Sequence, residues 1–134
     1  MASPDPINQP VLRLVVPSLP PPEYSANYSR GQHWANKQAA TQAAHDEIIA
    51  EVRNQGWHGE PLQHARISVL FYLPDRRKRD SGGLIERFKP WLDALTVKCG
   101  GDVVQDDDLA TIGWPTYRHE YRARQPGTRI EIYE

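Results

Sequence analysis

The apolar positions of this chain repeat with two different periods, and the changes of period mark its elements. Val11, Leu12, Leu14, Val15 and Val16 form a largely β-branched run closed by Pro17, which predicts a first strand. Before it, residues 1–10 carry three prolines and little apolar content, and read as a flexible lead-in. Pro20, Pro21 and Pro22 forbid regular structure, and through Arg30 and Gly31 the chain reads as an ordered surface loop. From His33 to about Gln55 the composition turns to good helix formers. Ile48, Ile49 and Val52 recur there at helical spacing, and Gly56 ends the predicted helix.

Between Arg66 and Leu73 the alternation of Ile67, Val69, Phe71 and Leu73 predicts a strand with one face in the core, ended by Pro74 and Asp75. Leu84, Phe88, Trp91, Leu92 and Leu95 recur at spacings of three and four, so a second helix is expected from Gly83 to Val97. Pro90 should kink that helix or mark a late start, because it has no N–H to give. After a Gly100-Gly101 turn, the alternation of Ala110, Ile112 and Trp114 predicts a third strand, and Thr128 to Tyr133 a fourth. The order β-α-β-α-β-β implies an α/β (α+β) fold: one compact domain over residues 11–134, with a mixed four-stranded sheet packed by two main helices.

Composition narrows the class. A chain of 134 residues with 25% charged and 39% hydrophobic residues is that of an ordinary globular domain. Cys99 alone cannot form an intrachain disulfide and is expected at a helix end, and no stretch approaches the roughly 20 apolar residues of a membrane span. The opening MASPDPINQP lacks the basic start and apolar core of a signal peptide, so a cytoplasmic location is expected. A net charge of −1 argues against a uniformly basic nucleic-acid binder. The charges are segregated, however. Arg76, Arg77, Lys78 and Arg79 form one block, Arg118, Arg122, Arg124 and Arg129 gather late, and Asp106, Asp107 and Asp108 form an acidic knot.

The candidate chemistry lies between these groups. Glu86, Lys89 and Asp93 are three and four residues apart and share one face of the predicted second helix. Asp80 precedes that helix and the aspartate triplet precedes the predicted third strand. Gathered carboxylates repel one another unless a cation intervenes, and Mg²⁺ or Mn²⁺ with oxygen ligands would do so. Such an ion lowers the pKa of a bound water and stabilises charge on a phosphodiester under attack. Lys89 would hold the phosphate as a point charge. Solvated helix ion pairs and a plain aspartate turn are the alternative reading of the same residues.

The segments RDSGGLIERFKPWLDAL (Arg79 to Leu95) and VVQDDDLATIGW (Val103 to Trp114) resemble the core of the RusA family of Holliday-junction resolvases. In that family an Asp-x-Asp-Asn element precedes a Lys, a Lys-Pro-x-Leu-Asp-Ala-Leu helix follows, and an Asp-Asp pair opens the next strand. The helix motif is matched by Lys89, Pro90, Leu92, Asp93, Ala94 and Leu95, which gives Pro90 a reason that periodicity does not. Upstream, LPPPEYSANYSRGQHW is similar to the family's proline-rich loop, with Asn27, His33 and Trp34 at the matching places. With TRIEIYE at the end, the likeness spans Val11 to Glu134.

The resemblance implies a metal-dependent endonuclease that nicks four-way or branched DNA in recombination and repair, in a bacterial or phage setting, as a homodimer without membrane association. It implies Asp80, Lys89 and Asp107 as catalytic residues, and Asp80, Asp106 and Asp107 as Mg²⁺ ligands, with Mn²⁺ a substitute. The second Asp and the Asn of the family element fall on Gly82 and Gly83, so Glu86 or Asp93 is expected to supply the missing carboxylate. Lys89 stands nine residues after Asp80, where shorter family members have six. Arg76, Arg77, Lys78 and Arg79, with Asn27, Arg30 and His33, are the expected DNA contacts. The departure at Gly82 and Gly83 also admits a junction-binding protein that has lost cleavage. His45, His58, His64 and His119 show no ligand spacing, and Trp34, Trp57, Trp91 and Trp114 read as core or interface anchors.

Overall fold

The computed structural model describes residues 9–24 and 34–134; Asn27, Arg30 and His33 lie outside the described residues. Four strands make one sheet: β1 (Leu12–Val16), β2 (Arg66–Leu73), β3 (Thr116–Tyr121) and β4 (Gly127–Tyr133). Their order across the sheet is β1-β4-β2-β3. β4 runs antiparallel to both β1 and β2, while β2 and β3 are parallel, so the sheet is mixed as expected. The parallel pair needs a crossover, and α2 (Ser81–Ala94) supplies it. The long helix α1 (Trp34–Asn54) connects β1 to β2, preceded by a single 3-10 turn at Pro22–Tyr24.

Alternation decides which face of the sheet is covered. Leu12, Leu14 and Val16 of β1, Ile67, Val69, Phe71 and Leu73 of β2, and Ile130 and Ile132 of β4 all enter one buried cluster. Ala44, Ile48 and Val52 of α1 recur four residues apart and enter the same cluster, as do Leu84, Phe88, Trp91 and Leu92 of α2. Phe88 lies edge-on to both Phe71 and Tyr117, with ring centroids 6.1 and 5.9 Å apart, which ties α2 to the parallel pair. Trp91 is fully buried, and its indole N–H donates to Glu47 of α1 at 3.2 Å. Burial of each such side chain contributes about 1.5–3 kcal/mol.

The late start at Pro90 and the third strand need correction. α2 runs through Pro90 from Ser81 to Ala94 without starting late, so the Glu86 carbonyl is simply offered no N–H from the proline. The predicted third strand over Ala110, Ile112 and Trp114 is instead the short helix α3 (Leu109–Ile112) and the turn after it. Asp108 caps that helix by accepting from the Thr111 N–H, and Gly113, at φ 60°, ends it in a conformation that favours glycine. The strand begins only after Pro115, on the TYRHEY segment. Trp114 is left 82% exposed and anchors no core.

Candidate active site at the end of helix α2

A pinned loop brings the late aspartates to α2. Beyond Leu95 the chain turns back, and the Val103 and Val104 N–H groups both donate to the Leu95 carbonyl, at 3.0 and 3.1 Å. Val104 also bridges Leu62 and Thr96, and both valines are fully buried. The turn depends on Gly101: a Cβ there would stand 2.1 Å from the Ala94 carbonyl oxygen and 2.9 Å from the Leu95 Cα. No side chain fits between those backbones. The loop therefore leaves α2 along one defined path, and the aspartate triplet comes back beside the last turns of that helix.

The three aspartates are put to different uses. The Asp106 carboxylate accepts from the Asp107 backbone N–H at 2.8 Å, and the Asp108 carboxylate caps α3. Only Asp107 turns its carboxylate to α2, where the Lys89 ammonium donates to it at 2.6 Å. Lys89 also donates to Asp93, one turn further along the same helix. One ammonium thus stands between two carboxylates, beside a cavity of about 230 Å³. Thr96, Lys98, Cys99 and Asp106 complete its lining.

The two carboxyls answer the same lysine in opposite ways. Asp107 is held down to about 2, first by the Lys89 hydrogen bond and then by one with Asp93. Burial pushes the Asp93 carboxyl above the usual range despite the Lys89 bond. For Lys89, burial alone would lower the pKa; the hydrogen bonds to Asp107 and Asp93 outweigh it, and the ammonium ends above its ordinary value. The cluster therefore combines one firmly anionic oxygen ligand, one carboxyl with raised proton affinity, and a fixed cation.

Asp80 is placed elsewhere. It is the N-cap of α2, its carboxylate accepting from the Gly82 N–H at 3.2 Å. At 1.5 Å of rise per residue, Lys89 lies about 13 Å further along the axis. Among the described residues Asp80, Asp106 and Asp107 do not converge as a ready set of ligands for one ion. Cβ atoms added at Gly82 and Gly83 would stand 3.7 and 3.6 Å from the nearest Asp80 carboxylate oxygen, so the two positions where the family pattern has Asp and Asn face Asp80 itself. Glu86 is half-buried one turn before Lys89 on α2, and is not among the residues lining the cavity.

The basic block follows β2 and is partly self-satisfied. The Arg79 guanidinium is largely buried, pairing with Asp75 at 3.0 Å and donating to the Asp75 and Arg77 carbonyls. Arg76 lies over the Tyr121 ring at 4.1 Å. Arg77 and Lys78 are exposed. Arg79 thus holds the loop, while its three neighbours present charge.

Among the described residues no three His, Cys, Asp or Glu side chains converge into a ready cage. Asp93 and Asp107, with Asp106 on the same cavity wall, nonetheless form the hard anionic oxygen set that Mg²⁺ favours. That ion is commonly held by one or two carboxylates, with waters and substrate phosphates filling its other positions. The donor chemistry fits on those terms. Lys89, Asp93 and the triplet stand out in the sequence, whereas Thr96, Lys98 and Cys99 have as their only signal there a place just past the end of α2.

No protein-family model matches the chain. It is similar to an uncharacterized protein of Xylella fastidiosa (strain Temecula1 / ATCC 700964), 27% identical over 108 residues that make up 78% of this chain and 67% of the relative. Among the described residues no helix is long and apolar enough to cross a membrane.

Proposed function

We propose that the protein is a metal-dependent, structure-selective DNA endonuclease of the RusA type, acting on four-way or otherwise branched junctions as a homodimer. The observation that carries this reading is the Lys89 ammonium held between Asp93 and Asp107 at an open cavity, on the residues by which the sequence resembles that family. Asp93 and Asp107 would hold Mg²⁺ or Mn²⁺, which supplies a water of lowered pKa and stabilises the charge that grows on the phosphodiester. Lys89, released from one carboxylate as a phosphate enters, orients that phosphate. The water's oxygen would bond to phosphorus and its proton would end on the sugar oxygen that leaves. A P–O bond to the sugar breaks as the new P–O bond forms. Because a resolvase nicks two symmetric strands, one domain of this size implies a two-fold pair of such sites.

A second reading rests on Gly82 and Gly83. With no carboxylate at either position and Asp80 engaged as a cap, the chain could bind junctions without cutting them. Cleavage of a labelled four-way junction by wild type and Asp107→Asn, in Mg²⁺, in Mn²⁺ and with chelator, separates the two. Paired nicks that need metal and vanish in the variant support the endonuclease; tight binding with no nicks in either ion supports the binding protein.

A further inference from the structure

The second face of the sheet is unlike the first. Leu70 and Tyr72 are 3% and 7% exposed, yet neither belongs to the core cluster that Ile67, Val69, Phe71 and Leu73 enter from the same strand. They point the other way. Arginines surround them. Leu70 is flanked in register by Arg129 of β4 and Arg118 of β3, and the Tyr72 ring lies under the Arg122 guanidinium at 3.9 Å, with that of Arg129 5.9 Å away.

Arg13 of β1 and Arg66 of β2 extend the same face. Arg13 pairs with Glu131, which it meets directly across the β1–β4 ladder, and Arg66 covers the Tyr133 ring at 4.8 Å. The face thus carries five arginines against two glutamates, Glu120 and Glu131, in a chain whose net charge is −1. Glu131 is shared between Arg13 and Arg129 at 3.0 and 3.4 Å, and Glu120 stands 3.9 Å from Arg122. Arg66 and Arg118 have no carboxylate partner among the described residues.

We infer that this arginine-lined sheet face binds the phosphodiester backbone of nucleic acid, as a surface separate from the Lys89 cavity. Charge chooses the occupant. A second copy docked by a two-fold axis would set the same arginines against themselves, whereas a phosphate backbone supplies the missing negative charge along the length of the sheet. The face also runs into the basic block. The Arg122 N–H donates to the Leu73 carbonyl at the exit of β2, and Arg76, Arg77 and Lys78 follow directly from that exit. A DNA arm lying across the sheet would therefore meet these arginines, with Arg77 and Lys78 exposed in the loop beyond the end of β2. The arginine fork suits phosphate oxygens, and such contacts position the duplex without reading bases.

The inference shares with the proposed function only its nucleic-acid partner and does not need cleavage. Its test is a fluorescence-anisotropy titration of the full chain in EDTA against a labelled duplex and a labelled four-way junction over a range of salt. Arg118→Glu is the first variant, because Arg118 is exposed and holds nothing in place; Arg118→Gln/Arg122→Gln is the second. Each lost phosphate contact should lower the slope of log affinity against log salt by about 1, and the charge reversal should weaken binding at least about tenfold at low salt. Unchanged affinity and slope in both variants would overturn the inference even if the wild type cuts junctions. Weakened binding by a wild type that never cuts would keep it while removing the endonuclease. A variant that sediments as a smaller species than wild type, with its DNA affinity per protomer intact, would assign the face to a second copy and overturn it as well.

Discussion

The Lys89 ammonium and the Asp107 carboxylate, 18 residues apart in sequence, meet at 2.6 Å because the Gly101 turn folds the loop back along α2. The contact joins a residue in the middle of a helix to one on a loop edge, and Asp93 shares the same ammonium. The proposed chemistry and the local stability therefore draw on the same three side chains.

Acid should expose that dependence. Asp107 has its folded pKa depressed to about 2, so its contribution to stability is present above the unfolded value of about 3.9 and is lost as pH falls through about 2. Asp93 works in the opposite sense: its raised carboxyl costs stability when ionised and recovers it on protonation. Solvent screening at a carboxylate still about 30% exposed limits the Asp107 contribution to about 1 kcal/mol. In urea unfolding, Asp107→Asn should be less stable than wild type by about that much at pH 6, and the two should converge toward pH 2. A difference that stays constant across the range would show that the Lys89 contact does not stabilise the fold.

Removing the cation should reveal the carboxylates as a metal site. In Lys89→Met the stem is kept but Asp93 and Asp107 face each other unscreened, so divalent ions should bind more tightly than in wild type. Thermal melts in Mn²⁺ should show a larger upward shift for the variant, while junction cleavage falls by at least about 100-fold with the loss of the phosphate-orienting charge. Equal Mn²⁺ shifts in both proteins would reject Asp93 and Asp107 as the ion's ligands.

Much of this arrangement was legible in the chain, and the failures have physical causes. Three of the four strands and both long helices follow from apolar period, and Lys89 with Asp93 follows from a four-residue helical spacing. The third strand was misplaced because Leu109–Ile112 fits a short helix as well as a strand, and the Asp108 cap decides between them. Which of three consecutive aspartates would face α2 was beyond periodicity, since it depends on the path set by Gly101 and Val104. The N-cap role of Asp80 is also legible, since an aspartate two residues before a glycine pair at a helix start is a strong cap, and it stands beside the ligand role that the resemblance implies. The paired use of β4, buried on one face and arginine-bearing on the other, left only a late cluster of basic residues as its trace.

Gly101→Ala should damage fold and site together. The added Cβ would meet the Ala94 carbonyl at 2.1 Å, a backbone atom that cannot swing aside, so the loop must move away from α2. Overpacking of this kind costs about 1–3 kcal/mol. Because the same displacement separates Asp107 from Lys89, cleavage should fall further than stability accounts for when assayed well below the variant's melting temperature. A variant that loses stability but cuts like wild type would show that the loop's position does not set the site.

Asp80 offers the sharpest division between capping and catalysis. Asp80→Asn keeps an oxygen for the Gly82 N–H and should leave stability within a few tenths of a kcal/mol, while Asp80→Ala removes the cap at a cost of about 1 kcal/mol. With Lys89 about 13 Å along the helix, neither change touches the cavity, so junction cleavage by Asp80→Asn should match wild type. Loss of cleavage in Asp80→Asn at unchanged stability would return Asp80 to the ligand set that the family resemblance implies, and would require the first turns of α2 to rearrange when DNA and metal bind.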